Sequence, residues 1–230
     1  MSKEFIIISI ILAVGCLILV SLFLYEFYKN RQVRALIIKG LASLCFVGVG
    51  IITCFTTQYD VYKLLIFIGL VFGLIGDEVI HLCQVNPKYN SQFFIGGGSS
   101  FVVGHILYIV GLFMLGGVDY ILLAIAFVVI SVASILYSRK KESVSGEMKI
   151  PLILYLGIVI FMASLSIGVA AIRMSVGNYL FLAGGLLFAL SDNILFAYKL
   201  GKNPRFSQNV ILHIAYYLAQ LLIAFSICCL

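Results

Sequence analysis

Apolar positions in this chain fall into eight long runs, at roughly 5–28, 36–57, 63–83, 96–115, 118–137, 151–172, 177–198 and 208–230. Polar residues gather in the short stretches between them. An α-helix needs about 20 mostly apolar residues to cross a bilayer, and each run meets that demand. The runs are continuous rather than alternating, and about twice as long as a membrane strand, so a β-barrel is excluded. The first run is longer than the apolar part of a signal peptide and lacks a convincing cleavage site, so it reads as a helix that stays. Pro87, Pro151 and Pro204 all fall between runs or at the start of one, where a helix tolerates them. The pattern predicts an all-α polytopic membrane protein, with residues 1–230 forming one transmembrane domain of eight helices.

Composition agrees. Hydrophobic residues make up 63% of the chain, charged residues 10%, and the mean hydropathy is +1.18. A soluble domain carries about 25% charged residues, so that class is excluded. The six cysteines (16, 45, 54, 83, 228 and 229) lie in or at the ends of apolar runs with no Cys-x-x-Cys pair, and read as small hydrophobes.

The net charge of +6 is a topology signal rather than a nucleic-acid one. When the connections are taken alternately, one side holds only Lys3, Lys63 and Arg173. The other holds the remaining twelve basic residues, among them Lys39, Lys88, Lys199 and Arg205. Basic residues favour the cytoplasmic side, which puts both termini outside. A reporter at Met1 or Leu230 should therefore read as outside, and one within 29–35 or 139–149 as inside. A cytoplasmic terminus would overturn that orientation.

The two halves, 1–115 and 116–230, echo each other. Gly69 to Asp77 resembles Gly185 to Asp192 with one gap. Asn86-Pro87-Lys88-Tyr89 pairs with Asn203-Pro204-Arg205-Phe206, and His105-Ile106-Leu107-Tyr108 with His213-Ile214-Ala215-Tyr216. The offset of 115 residues between the aspartates spans four helices, so the expected layout is two parallel four-helix repeats.

Ionisable groups inside membrane helices are costly and mark function by default. Here they are Lys39, Asp77, Glu78, His81, His105, Asp192 and His213, all expected at the depth of the cytoplasmic leaflet. Asp77 and His81 share a face of the third helix, continued by the small residues Gly73 and Gly69. His105 and Tyr108 share a face of the fourth. His213, Tyr216, Tyr217 and Gln220 form a polar stripe on the eighth. The run Gly96-Gly97-Gly98-Ser99-Ser100 reads as the start of the fourth helix, where free amides would attract phosphate.

In order along the chain, these residues resemble the YhhN-like lysoplasmalogenase family of integral membrane proteins. Ile38-Lys39-Gly40-Leu41 is similar to the family's Lys-Pro-Leu, and Gly76-Asp77 to its Gly-Asp. Phe94, Gly98, Phe101, His105 and Tyr108 follow its fourth-helix pattern. Gly184 to Asp192, ending in Ser191-Asp192, resembles its Gly-x-x-x-Phe-x-x-Ser-Asp, and Tyr216-Tyr217-Leu218-Ala219-Gln220 its Tyr-x-x-Ala-Gln. Gly40 stands where the family usually has Pro, and Asn193 follows the second Asp as a further departure. The resemblance implies hydrolysis of the vinyl ether of a lysoplasmalogen to a fatty aldehyde and a glycerophospho-base, in a bacterial cytoplasmic membrane.

That chemistry suits two carboxyl groups, one giving a proton to the alkene carbon and one standing by the resulting oxocarbenium ion. Asp77 and Asp192 are the expected catalytic pair, sharing one proton. His105, Tyr108, Ser191, Asn193, His213, Tyr216, Tyr217 and Gln220 are expected in support. Lys39 would hold the phosphate, with Gly97, Gly98, Lys88, Lys199 and Arg205 at a headgroup rim. The hydrocarbon tail would rise between the two halves towards the outer leaflet. Expected partners are a lysophospholipid and bilayer lipids, with no nucleic acid, protein partner, cofactor or metal. A zinc site built from Asp77, His81, His105, Asp192 and His213 is the rival within hydrolases, though no tight His-x-x-x-His element supports it. A proton-coupled transporter is the rival outside enzymes, though no helix is broken by proline.

Overall fold

In a computed structural model, residues 3–57, 60–139, 149–200 and 205–229 are described, without the side chains of 138–139, 149–150 and 199–200. Eight helices follow in chain order: α1 (Lys3–Tyr28), α2 (Gln32–Phe55), α3 (Val61–Val85), α4 (Asn90–Leu115), α5 (Tyr120–Arg139), α6 (Lys149–Ile172), α7 (Val176–Leu200) and α8 (Phe206–Ser226). A 3₁₀ turn at Pro87–Tyr89 leads into α4. All eight are long and apolar enough to cross a membrane. The described residues contain no strand.

Consecutive helices pack as neighbours within each half, most closely α3 with α4 and α7 with α8. Small residues explain that closeness. A Cβ on Gly76 would lie 2.9 Å from the Gly97 carbonyl, and one on Gly184 2.9 Å from the Ala219 carbonyl. Water drives no association between helices inside a bilayer, so close backbone approach must supply the attraction. The outer helices α1 and α5 are the least buried and turn most of their surface to lipid. The halves meet where α1, α2 and α3 pack on α8 and where α4 packs on α6.

Two expectations change at α4. The helix begins at Asn90, six residues before the apolar run, because Pro87 opens a turn that feeds directly into it. Gly96, Gly97 and Gly98 are therefore interior to α4 rather than at its start. Their amides are taken up by the helix ladder and do not form a phosphate cradle. The glycines serve contact and space instead. A Cβ on Gly97 would sit 2.5 Å from Ile80 Cγ1 and 2.8 Å from the Gly76 carbonyl, whereas one on Gly98 would meet nothing within 4 Å. Gly97→Ala should thus destabilise the protein by about 1–3 kcal/mol. Gly98→Ala should leave stability level or raised, since alanine is the better helix former. Thermal unfolding of both variants in one detergent checks the contrast, and equal melting points would contradict it.

Candidate active site

The polar groups form two clusters, one around Asp77 and one around Asp192.

The first cluster surrounds Asp77 on α3. Lys39, on the third turn of α2 and only 2% exposed, puts its Nζ 2.8 Å from Asp77 Oδ1 and 2.9 Å from the Asp77 carbonyl. Tyr217 Oη of α8 donates to Asp77 Oδ2 at 2.9 Å, and Ser43 Oγ of α2 at 3.2 Å. Asp77 is thus a carboxylate with a cation and two hydroxyls on it, bound from two neighbouring helices. Lys39 is correspondingly committed to Asp77, which corrects the expectation that it holds phosphate. Phe23 of α1, fully buried, lies beneath this corner. Its ring centre is 5.7 Å from Lys39 Nζ, 5.7 Å from the His81 ring and 4.8 Å from the His213 ring. Gly40 leaves room for Glu78, whose Oε2 would be 3.3 Å from a Cβ at position 40. The departure from the family's Pro is thereby matched by a side chain that fills the gap.

The second cluster surrounds Asp192 on α7, which is 3% exposed. Tyr155 of α6 donates to its Oδ2 at 2.6 Å. Among the described residues no basic side chain reaches ion-pair distance of this carboxyl. Tyr155 is absent from the sequence expectations, although one signal pointed to it. It follows Lys39 by 116 residues, the same offset that relates Gly69 to Gly185. A lysine on α2 reaches the α3 aspartate, and a tyrosine on α6 reaches the α7 aspartate.

The two carboxyls hydrogen-bond to different partners and not to each other. Tyr216 of α8 stands edge-on to Tyr217 and Phe188, with ring centres 5.0 and 5.5 Å away. It belongs to a chain in which Tyr108 Oη donates to Gln220 Oε1 at 3.1 Å, Gln220 Nε2 to Tyr216 Oη at 3.2 Å, and Tyr216 Oη to the Gly73 carbonyl at 3.0 Å. Gly69 and Gly73 make room for it, since Cβ atoms there would clash with Tyr108 and Gln220. Tyr108, Gln220 and Tyr216 therefore tie α4, α8 and α3 together and touch neither carboxyl.

Each histidine is oriented by a main-chain oxygen. His105 Nδ1 lies 2.6 Å from the Phe101 carbonyl, so that nitrogen carries the hydrogen. Its Nε2 is buried and has no partner, and its ring stands edge-on to Phe188 and Tyr155 at 4.5 and 5.9 Å between centres. His213 Nδ1 lies 2.8 Å from the Asn209 carbonyl, and His81 Nε2 3.2 Å from the Gln32 carbonyl. Ser191 and Asn193 donate to the Leu212 and Ala189 carbonyls and not to Asp192. Among the described residues, no three His, Cys, Asp or Glu side chains converge in a group that could hold a metal ion. Lys88 and Arg205 are exposed at this end of the bundle, and the Lys199 side chain lies outside the described residues.

Two cavities adjoin this centre, through Tyr155 and Lys39 rather than through the aspartates themselves. One, of about 140 Å³, is apolar and lies between α4, α6 and α7, with Tyr155, Phe101 and Gly98 in its wall. The other, of about 30 Å³, has Lys39, His81, Gln84, Asn209 and His213 among its lining residues. Ile80 and Leu195 line both and form the partition between them. The apolar cavity occupies the first turns of α4 and α6, at the aspartate end. That position differs from the expected tunnel towards the outer leaflet.

Eight membrane-capable helices around a buried polar centre make this a multi-pass integral membrane protein. The sequence model of the YhhN family matches residues 32–227, and the chain belongs to that family. No curated protein and no solved structure matches the chain.

Proposed function

We propose that this protein is a lysoplasmalogenase, a hydrolase of the vinyl ether bond of lysoplasmalogens, working in the cytoplasmic half of a bacterial membrane with both termini outside. The observation that carries this reading is the unequal setting of two buried carboxyls from repeat-related helices. Asp77 has an ammonium beside it, and Asp192 has only the Tyr155 hydroxyl at the edge of an apolar cavity. That difference divides the roles. Asp192 is the proton donor, and Asp77 is the standing carboxylate that favours positive charge nearby. General acid–base catalysis with one carboxyl in each role is the arrangement that oxocarbenium chemistry uses in glycoside hydrolysis.

Asp192 gives its proton to the alkene carbon remote from oxygen, and the π pair forms the new C–H bond. The adjacent carbon becomes an oxocarbenium ion. Water bonds to it and returns one proton to Asp192. The hemiacetal then breaks its bond to the glycerol oxygen, which takes the remaining hydroxyl proton as the aldehyde forms. Tyr155 fixes the orientation of Asp192 throughout. Lys39, Ser43 and Tyr217 fix Asp77, and the polar pocket ending at Lys39 brings water from that side. The step consumes one water and no cofactor.

The test is turnover by purified protein in detergent of a 1-alkenyl lysophospholipid and its 1-alkyl counterpart. Aldehyde release from the alkenyl lipid alone is expected. Release from neither contradicts the reading.

A further inference from the structure

The apolar cavity has features that a mere gap between membrane helices does not need. Its inner wall carries Tyr155, whose hydroxyl is 2.6 Å from Asp192. Gly98 leaves it open, with nothing within 4 Å of where a Cβ would stand. Ile95, 52% exposed, stands at its outer edge and looks out of the bundle, so the cavity opens sideways into lipid. Along α4 it runs from Phe94 to Val102, about 12 Å at 1.5 Å per residue. Beyond the Ile80 and Leu195 partition, the lining includes Lys39, His81, Gln84, Asn209 and His213.

Resting on the lysoplasmalogenase reading, we infer that this cleft seats the substrate's single hydrocarbon chain, which slides in from the bilayer between α4 and α6 with the vinyl ether at Tyr155. The order of surfaces matches the order of groups next to the reacting bond in such a lipid: apolar cleft first, then Tyr155 with Asp192 behind it. The cleft is too short to enclose a long chain. It holds the part next to the ether and leaves the remainder in the bilayer. Chain-length dependence should accordingly rise over the first several carbons and then level off.

Gly98→Leu puts a side chain into the open space without touching the carboxyls. It should lower kcat/KM for a long-chain alkenyl lysophospholipid at least about 10-fold, in line with the selectivity a pocket gains or loses per methylene. A substrate with a chain of two or three carbons should lose far less.

Placement is read independently of turnover with a non-hydrolysable 1-alkyl lysophospholipid that carries a photoreactive diazirine a few carbons from the ether. In the wild-type protein, adducts are expected on Ile95, Val102 and Leu152, competed by unlabelled lysolipid and lost in Gly98→Leu. Adducts confined to the lipid faces of α1 and α5, or unchanged in Gly98→Leu, overturn the assignment. Cleft adducts in a protein that releases no aldehyde would uphold the chain site and reject the reaction. Aldehyde release without cleft adducts would reject the chain site and leave the reaction standing.

Discussion

Asp192→Asn should fold normally and lose at least about 100-fold in turnover. The amide keeps the shape of the carboxyl and can still accept from Tyr155, so little of the packing around α6 and α7 is disturbed. It has no acidic proton to deliver to carbon, and the neighbouring Tyr155 hydroxyl is a far weaker acid than a carboxyl. Tyr155→Phe is the milder companion. It removes the hydroxyl that orients Asp192 and should reduce turnover while leaving a measurable rate. Aldehyde release from the alkenyl lysophospholipid, measured alongside melting temperature, separates a chemical loss from a folding loss. An Asp192→Asn protein with most of its activity would remove Asp192 as the acid.

Lys39→Met should produce the largest loss of stability, about 3–5 kcal/mol, because it strands the Asp77 carboxylate inside the bundle without its cation. Asp77→Asn strands Lys39 in the same way and should also be unstable. Asp77 and Asp192 therefore differ in what their amides do, despite the similar sequence around them. The double variant Lys39→Met with Asp77→Asn removes both charges together. It should regain much of the lost stability but stay inactive. If the double variant melts no higher than the singles, the ion pair is not what holds this corner. The same set of proteins distinguishes a lysine that supports Asp77 from one that binds phosphate, since a phosphate ligand would change substrate KM with stability intact.

How much of this was legible in the sequence depends on the kind of signal each residue gives. Helices announce themselves by length and hydropathy, so all eight were foreseeable, with ends shifted by a few residues. Charges stand out against an apolar background, so Lys39, Asp77, Asp192 and the histidines were also foreseeable. What charge alone does not give is pairing. The 38 residues between Lys39 and Asp77 bridge two helices, and only their packing reveals that the lysine belongs to the aspartate. Tyr155 and Phe23 carry no charge and sit among other apolar residues, so nothing local marks them. An offset of 116 residues from Lys39, the one that relates Gly69 to Gly185, does fall on Tyr155. The glycine run misled for a physical reason. In water, glycine loosens a helix, but between membrane helices it permits the backbone approach seen at Gly76 and Gly97.

The measurement that bears most directly on the central claim is the fate of the proton. Wild-type protein is incubated with a 1-alkenyl lysophospholipid in D₂O, and the aldehyde is reduced at once to the alcohol to stop exchange. Protonation at carbon by Asp192 predicts one deuterium on the carbon next to the former carbonyl, and no product from Asp192→Asn. Aldehyde without that deuterium, or undiminished product from Asp192→Asn, would contradict the account.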